Sequence, residues 1–194
     1  MVSKQKILLT AAELFLNQGY DNTPMSHIAR KLKLSKGGLY HHYSSKETLL
    51  FDIINHMNEK NFFPIYEKAM EIADPEERVR YFLRRFAEIM TVDASSLIAV
   101  REARRLKPQH LKKVKQSWRM TYGLLKDAIS EMQASGKARK MNSTFAAFAA
   151  IGMCSWTFYW FDYSREESWE ELSDTFVEIF LKGITEMTRC DPHC

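Results

Sequence analysis

A short stretch after Ser35 combines slender, basic and hydrogen-bonding side chains at helical spacing. The leading residues are narrow enough for a helix to approach base edges in a major groove about 12 Å wide, and the later donors suit phosphates. Glycine destabilises a helix by roughly 1 kcal/mol relative to alanine. Close approach of the backbone to DNA is a reason for the two consecutive glycines, Gly37 and Gly38, in this stretch. The residues predicted to bind DNA on this chemistry are Lys36, Gly37, Gly38, Tyr40, His41, His42 and Lys46.

Two short helices joined by a tight turn must position these side chains. Thr23-Pro24 predicts an N-cap and the first residue of a helix that extends to about residue 32, and Ser35 predicts the cap of a second. Leu39 and Tyr43 of this second helix are expected in the core. A helix over residues 2–18 comes before the pair, and another begins after Ser45. This order predicts a helix-turn-helix.

Positive charge is concentrated at the amino-terminal end of the chain. The net charge is +4, but residues 1–46 contain seven Lys or Arg and two carboxylates, a balance of +5 that leaves −1 for the rest. A basic end is what a module that binds a polyanion needs.

The remaining sequence predicts helices only. Apolar periodicity and Gly or Pro breaks place them at about 61–72, 76–91, 94–106, 109–135, 143–163 and 169–188. The alternative for the first is that it continues the preceding helix through a kink at Pro64. The predicted fold is all-α, with a three-helix DNA-binding domain over residues 1–50 and a ligand-binding and dimerisation domain over residues 51–194.

Other functional classes find little support in the sequence. No run of about 18 apolar residues predicts a membrane span, and three cysteines fit a reducing cytoplasm. No nucleophile elbow, phosphate loop, metal-ligand spacing or Cys-His pair predicts an enzyme, a metal site or a cofactor. Cys190 and Cys194 are interpreted as part of an ordinary tail.

Aromatic and methionine side chains are dense after residue 80, and they predict an apolar ligand pocket, with a filled core as the alternative. The predicted pocket residues are Phe86, Met90, Trp118, Tyr122, Trp156, Tyr159 and Trp160. Arg101, Arg104 and Arg105 share one side of a helix, and Arg101 and Arg105 are predicted to bind phosphate or carboxylate, with an exposed face as the alternative.

The last predicted helix is apolar on two faces, because Val177 and Leu181 lie away from its main stripe. Both faces must be covered, so we predict that a partner subunit contributes to covering them; burial of both faces within one chain is the alternative. The predicted homodimer interface contains Phe176, Phe180, Gly183 and Ile184.

The amino-terminal pattern resembles the DNA-binding domain of TetR-family repressors. It comprises Gly19-Tyr20, Thr23, Ile28-Ala29, Ser35 to Tyr43, Lys46 and Leu49. The resemblance implies that Met25 and Ser26, which we predict among the DNA-binding residues, open a helix that supports the recognition helix. It implies that Lys36, Gly37 and Gly38 face bases. It also implies that Tyr40, His42 and Lys46 contact phosphates of a palindromic operator, with His41 beside them. Pro24 and Ser26 depart from residues common in the family.

The carboxy-terminal part is similar to the acyl-CoA-responsive branch of the same family, although Ser155 departs from that pattern. The similarity covers Arg101, Lys107-Pro108, Trp118, Tyr122, Gly136-Lys137, Gly152, Trp156, Tyr159-Trp160, Ser168, Glu171-Leu172, Phe176, Leu181 and Gly183-Ile184. It implies a fatty acyl-CoA effector whose chain enters among the aromatic residues. The alternatives are a multidrug-type sensor that controls an efflux pump and an interaction module without DNA binding.

Overall fold

The computed structural model describes residues 2–92, 94–157 and 168–185, with the backbone alone for residues 92 and 94–97. Within these ranges the chain is helical, and its only β pairing is a single bridge between Ala138 and Thr185. None of the described helices is both apolar and long enough to span a bilayer. The α-helices in chain order are α1 (Lys4–Gln18), α2 (Met25–Lys31), α3 (Lys36–His42), α4 (Lys46–Met57), α5 (Phe63–Met70), α6 (Pro75–Val92), α7 (Ala94–Glu102), α8 (Pro108–Ala134), α9 (Ser143–Thr157) and α10 (Trp169–Ile184).

Serine caps set the starts of the helices around the predicted DNA-binding stretch. The Ser35 hydroxyl accepts a hydrogen bond from the Gly38 N–H at 3.0 Å and so begins α3. Ser45 and Thr48 form a reciprocal capping box at the start of α4. Gly19 ends α1 with φ of 84°, a left-handed conformation that a side chain would strain. Local sequence therefore fixes the start of each helix that follows a cap.

Thr23 has a different role from the one predicted. Pro24 occupies the cap position of α2, without a side-chain cap. The fully buried Thr23 hydroxyl lies 2.9 Å from the Gly19 carbonyl oxygen and 3.3 Å from that of Leu14. Thr23 therefore donates to carbonyl oxygens at the end of α1 instead of capping α2.

Helix α4 continues into α5 through a π-helical turn over Asn58–Phe62. The continuation predicted as the alternative is thus correct, and the wide turn lies just before Pro64. Asn58 is buried in this turn, and its Nδ2 donates to Ser117 Oγ at 3.4 Å. A π-turn accommodates an extra residue without ending the helix.

The chain forms two compact units, of which the first contains residues 1–61 and 93–117. Helices α1 to α4 pack with α7 around a continuous apolar core. Its fully buried side chains include Ile7, Ile28, Leu39, Leu49, Leu50, Ile54 and Ile98. The first unit thus contains a segment from beyond the predicted boundary at residue 50. That boundary divides the chain by function and stays a prediction.

The second unit contains residues 62–92 and 118–194. Helix α6 packs against α5, α9 and α10 in its described part. Phe82, Leu83, Leu125, Ile129 and Met132 are its largest fully buried side chains. Cys154 is also buried there, and burial raises the pKa of its thiol to about 12.

Candidate nucleic-acid interface and ligand-binding residues

Helix α3 is anchored by two apolar side chains and exposes most of the others. Leu39 and Tyr43, which directly follows α3, are buried in the core, as predicted. Lys36, Gly37, Tyr40, His41 and His42 are exposed, and Gly38 is half-buried. The exposed side combines positive charge with hydrogen-bond donors, so it can contact both base edges and phosphates.

Packing among the described residues does not require glycine at position 37, whereas position 38 is crowded by the Ser35 cap. A Cβ atom at Gly37 would meet nothing within 4 Å, and one at Gly38 would lie 3.2 Å from Ser35 Oγ. Both φ angles are helical. The reason for glycine at residue 37 therefore lies outside the described part of the chain, which agrees with close approach to a binding partner.

Met25 and Ser26 differ in exposure although both open α2. The Met25 side chain is buried in the first unit's core, so its predicted DNA contact is corrected to a packing role. Ser26 is exposed. Met25 is buried because α2 packs against α1 and α3 in this core.

Lys46 is held by the turn that follows α1. Its Nζ donates to the Tyr20 carbonyl oxygen at 2.6 Å and lies 4.2 Å from the centre of the Tyr20 ring. Burial lowers the pKa of Lys46. The ammonium group was predicted as a phosphate donor, and one of its three N–H groups is already used within the chain.

The Arg105 guanidinium forms ion pairs with two carboxylates of the first unit. Its Nη1 and Nη2 bind the two oxygens of Asp21 at 2.8 and 2.6 Å, and its Nε binds Glu102 at 2.6 Å. The hydrogen bond to Glu102 is the main cause that raises the pKa of Arg105. The predicted phosphate-binding role of Arg105 is therefore corrected, because its planar donors are paired. Arg101 is exposed in the same unit.

Glu47 joins the start of α4 to the start of α8. Its Oε1 accepts hydrogen bonds from the Lys107 backbone N–H at 2.9 Å and from His110 Nδ1 at 2.8 Å. The His110 ring stacks on Phe51 with centroids 4.0 Å apart. Glu47 and His110 side chains are both mostly buried. Sequence reasoning missed this contact, because 60 residues separate Glu47 from Lys107.

The structure brings only some of the predicted pocket residues together. In the second unit, Met90 belongs to the core, and Phe86 and Tyr122 pack against it. Tyr122 Oη lies 3.0 Å from Thr144 Oγ1. Trp118 and Trp156 are exposed, so neither is enclosed by the described residues. Tyr159 and Trp160 lie outside the described residues.

The predicted dimer residues on α10 are mostly buried inside the chain. Phe180 and Ile184 belong to the second unit's core, Phe176 packs against it, and Gly183 is exposed. The prediction for Phe180 and Ile184 is therefore wrong for this chain: α10 buries that face against α6 and α9.

An exposed apolar stripe lies instead on α9. Phe145, Phe148 and Trp156 expose 70, 57 and 62% of their surface, and Gly152 lies between them on the same face. Ile179 is an exposed apolar residue of α10. The signal was present in the sequence, since α9 is apolar almost all round, but periodicity alone does not say which face is uncovered.

A cavity of about 430 Å³ between α6 and α10 has mixed charge. Arg84 pairs with Asp174 on its wall, and Lys182 pairs with Glu178. These charged groups are already paired with each other, whereas a pocket for an apolar ligand is lined mainly by apolar side chains. Among the described residues, no group of three His, Cys, Asp or Glu side chains can hold a metal ion; Cys190 and Cys194 lie outside them.

Two family models match the chain. Residues 7–53 match "Bacterial regulatory proteins, tetR family", and residues 73–184 match "Tetracyclin repressor-like, C-terminal domain". The transcriptional regulator HbdR of Aromatoleum sp. (strain CIB) is 26% identical over 96% of this chain and 85% of its own length. The regulator YuxN of Bacillus subtilis (strain 168) is 40% identical, over only 32% of this chain and 22% of its own length.

Among solved structures, AibR in complex with isovaleryl coenzyme A and operator DNA is 29% identical. The match covers 90% of this chain and 96% of that one, with a TM-score of 0.85.

Replacing Glu47 with alanine tests the junction between α4 and α8. Glu47→Ala leaves the Lys107 N–H and the His110 imidazole without their shared acceptor, so the free energy of unfolding should fall by about 1–3 kcal/mol. Urea denaturation at fixed protein concentration measures it. The control is Glu59→Ala, which removes an exposed carboxylate of the π-turn. Equal denaturation midpoints for Glu47→Ala and the control would contradict the junction.

Proposed function

The chain belongs to the TetR family of bacterial transcriptional regulators, and we propose that it is a homodimeric repressor with a palindromic operator. In this proposal a bulky apolar effector releases the protein from DNA, and a fatty acyl-CoA is the first candidate. The protein works by binding rather than by catalysis, and it acts in the cytoplasm.

The exposed face of α3 is the observation that carries the proposal. The helix is seven residues long, so it extends about 10 Å and fits within one major groove. Lys36 lies at its exposed start, where recognition helices contact base edges. Tyr40, His41 and His42 follow as phosphate contacts, and Ser26 and Lys46 flank them.

The apolar stripe on α9 supports a dimer interface. Burying a large apolar side chain contributes roughly 1.5–3 kcal/mol, so three exposed aromatic residues on one helix face favour association. Exposed Gly152 lets a second helix approach closely between Phe148 and Trp156. In a twofold dimer the same stripe meets its own copy. Ile179 and Gly183 are exposed on one side of α10 and are candidates for the same interface.

The apolar interior of the second unit supports an apolar effector. Phe86 stacks on Phe82 with centroids 5.6 Å apart, and Met90 lies in the same core. Flexible methionine and broad aromatic rings can move apart for an acyl chain. The complex of the relative AibR contains isovaleryl coenzyme A together with operator DNA. We therefore place an acyl-CoA ahead of the cationic drugs of a multidrug-type sensor; the predicted phosphate binding by Arg101 is tested separately.

Substitutions on α3 test DNA recognition. Lys36→Ala should change base preference and cost about 1–3 kcal/mol on the preferred operator, because it removes a contact to base edges. Tyr40→Phe removes a phosphate donor and should weaken binding to all sequences alike. Fluorescence anisotropy with the operator and with base-substituted duplexes measures both effects, and Lys140→Ala in the second unit is the control. Variants that bind every duplex as the unaltered protein does would refute the assignment of α3.

Phe145→Glu tests the dimer surface, because Phe145 is largely exposed in one chain. A charge in an apolar seam should weaken dimerisation by about 100-fold or more, measured by sedimentation. Phe180→Ala is the matched variant, and it should instead lower the free energy of unfolding by about 3–5 kcal/mol. A Phe145→Glu protein with the same dimer dissociation constant as the unaltered protein would rule out this surface.

Calorimetry with acyl-CoAs of increasing chain length tests the effector. Affinity should rise with each methylene buried, by up to about 0.8 kcal/mol. Phe86→Ala should weaken long chains more than short ones, and Arg101→Ala should weaken the CoA thioester more than the free fatty acid. Tight binding of a cationic dye without acyl-CoA binding would favour the multidrug-type sensor.

A further inference from the structure

A dense concentration of positive charge lies outside the helix-turn-helix, where α7 ends and α8 begins. Residues 101–117 contain seven Lys or Arg residues and a single carboxylate, Glu102. Arg105 is neutralised by Asp21 and Glu102, and the Lys113 ammonium lies 5.7 Å from the Phe51 ring. These two cations therefore serve contacts within the chain.

Four further cations at this corner face solvent. We call Arg104, Lys107, Lys112 and Lys115 the corner surface; all four side chains are exposed. Within the described part of the chain, none of them forms an ion pair. Lys112 and Lys115 are three residues apart on α8 and share one side of it. Like charges gathered without partners repel each other, which favours a surface that meets a polyanion.

Hydrogen bonds attach the corner surface to the predicted phosphate contacts. The Lys107 N–H donates to Glu47 Oε1, and Glu47 directly follows Lys46 at the start of α4. Arg105 reaches the turn after α1 through Asp21. The corner surface thus lies in the same compact unit as α3, and its Lys107 is bonded to α4, which begins four residues after α3 ends.

The charge of the whole first unit points to the same partner. Its residues, 1–61 and 93–117, contain fifteen Lys or Arg and seven Asp or Glu, a net charge of +8. The second unit has thirteen Lys or Arg and seventeen Asp or Glu, a net charge of −4. Most of the first unit's excess comes from residues 93–117, with seven cations and two carboxylates.

We propose that the corner surface is a second DNA-binding surface that contacts backbone phosphates outside the major-groove site read by α3. This inference rests on the proposed operator binding and adds to it. Such contacts carry no base specificity, but each neutralised phosphate releases counterions and adds about 0.9 to the salt slope of binding. They extend the DNA footprint beyond the half-sites and strengthen binding on long DNA.

The test compares a short operator duplex with one extended by about ten base pairs at each end, one helical turn. Arg104→Gln, Lys112→Gln and Lys115→Gln are combined in one variant. On the long duplex, the triple variant should lose at least about tenfold in affinity and at least about 2 in salt slope. On the short duplex it should bind as the unaltered protein does.

Two controls separate this surface from other effects. Lys140→Gln removes an exposed cation from the second unit and should leave both duplexes unaffected. Circular dichroism and the thermal midpoint show whether the triple variant is folded, and the single variant Lys112→Gln should give a smaller change of the same kind.

Three results would overturn the proposal. The triple variant could keep its salt slope on the long duplex, or the unaltered protein could gain nothing from the flanks. The variant could also retain DNA binding and lose affinity for coenzyme A itself, which would assign the surface to the phosphates of an anionic effector. If the unaltered protein binds neither duplex, the proposed operator binding fails as well.

Discussion

One carboxylate holds two helix starts together in the first unit. Glu47 is the second residue of α4, where the helix dipole favours negative charge, and it also accepts the Lys107 N–H immediately before α8. His110 Nδ1 also donates to Glu47 Oε1, and the His110 ring stacks on Phe51. Because this group is mostly buried, its hydrogen bonds are stronger than those of an exposed pair. The segment that carries α3 and the segment that begins α8 are therefore linked directly.

The basic residues divide into two groups around this link. One group is used within the chain: Arg105 binds Asp21, and Lys46 lies against Tyr20. Both residues fix the turn after α1, where the Gly19 carbonyl oxygen also accepts a hydrogen bond from the buried Thr23 hydroxyl. The other group is the corner surface, whose side chains, including that of Lys107, remain in solvent. A count of positive charge in the sequence mixes these two groups, and only the contacts separate them.

The sequence predicted local features well and long-range partners poorly. Caps such as Ser35 and Ser45 act within a few residues, so the helices around them were predictable. Partners such as Arg105 and Asp21 are 84 residues apart, and no local pattern reports their pairing. The wrong interface on α10 has a related cause. That helix is apolar on two faces, and its own sequence does not tell which face the rest of the chain covers. In the structure, α6 and α9 cover the face that contains Phe180.

The open space around Gly37 has an evolutionary consequence. No described neighbour lies within 4 Å of a Cβ atom there. Because glycine is a poor helix former, substitutions other than proline at this position gain helix propensity. Leu39 and Tyr43, two and six residues further along, are fixed by the core. Under the proposed role of α3, duplicated genes can therefore diverge in the DNA sequence that their products recognise without first acquiring compensating mutations elsewhere.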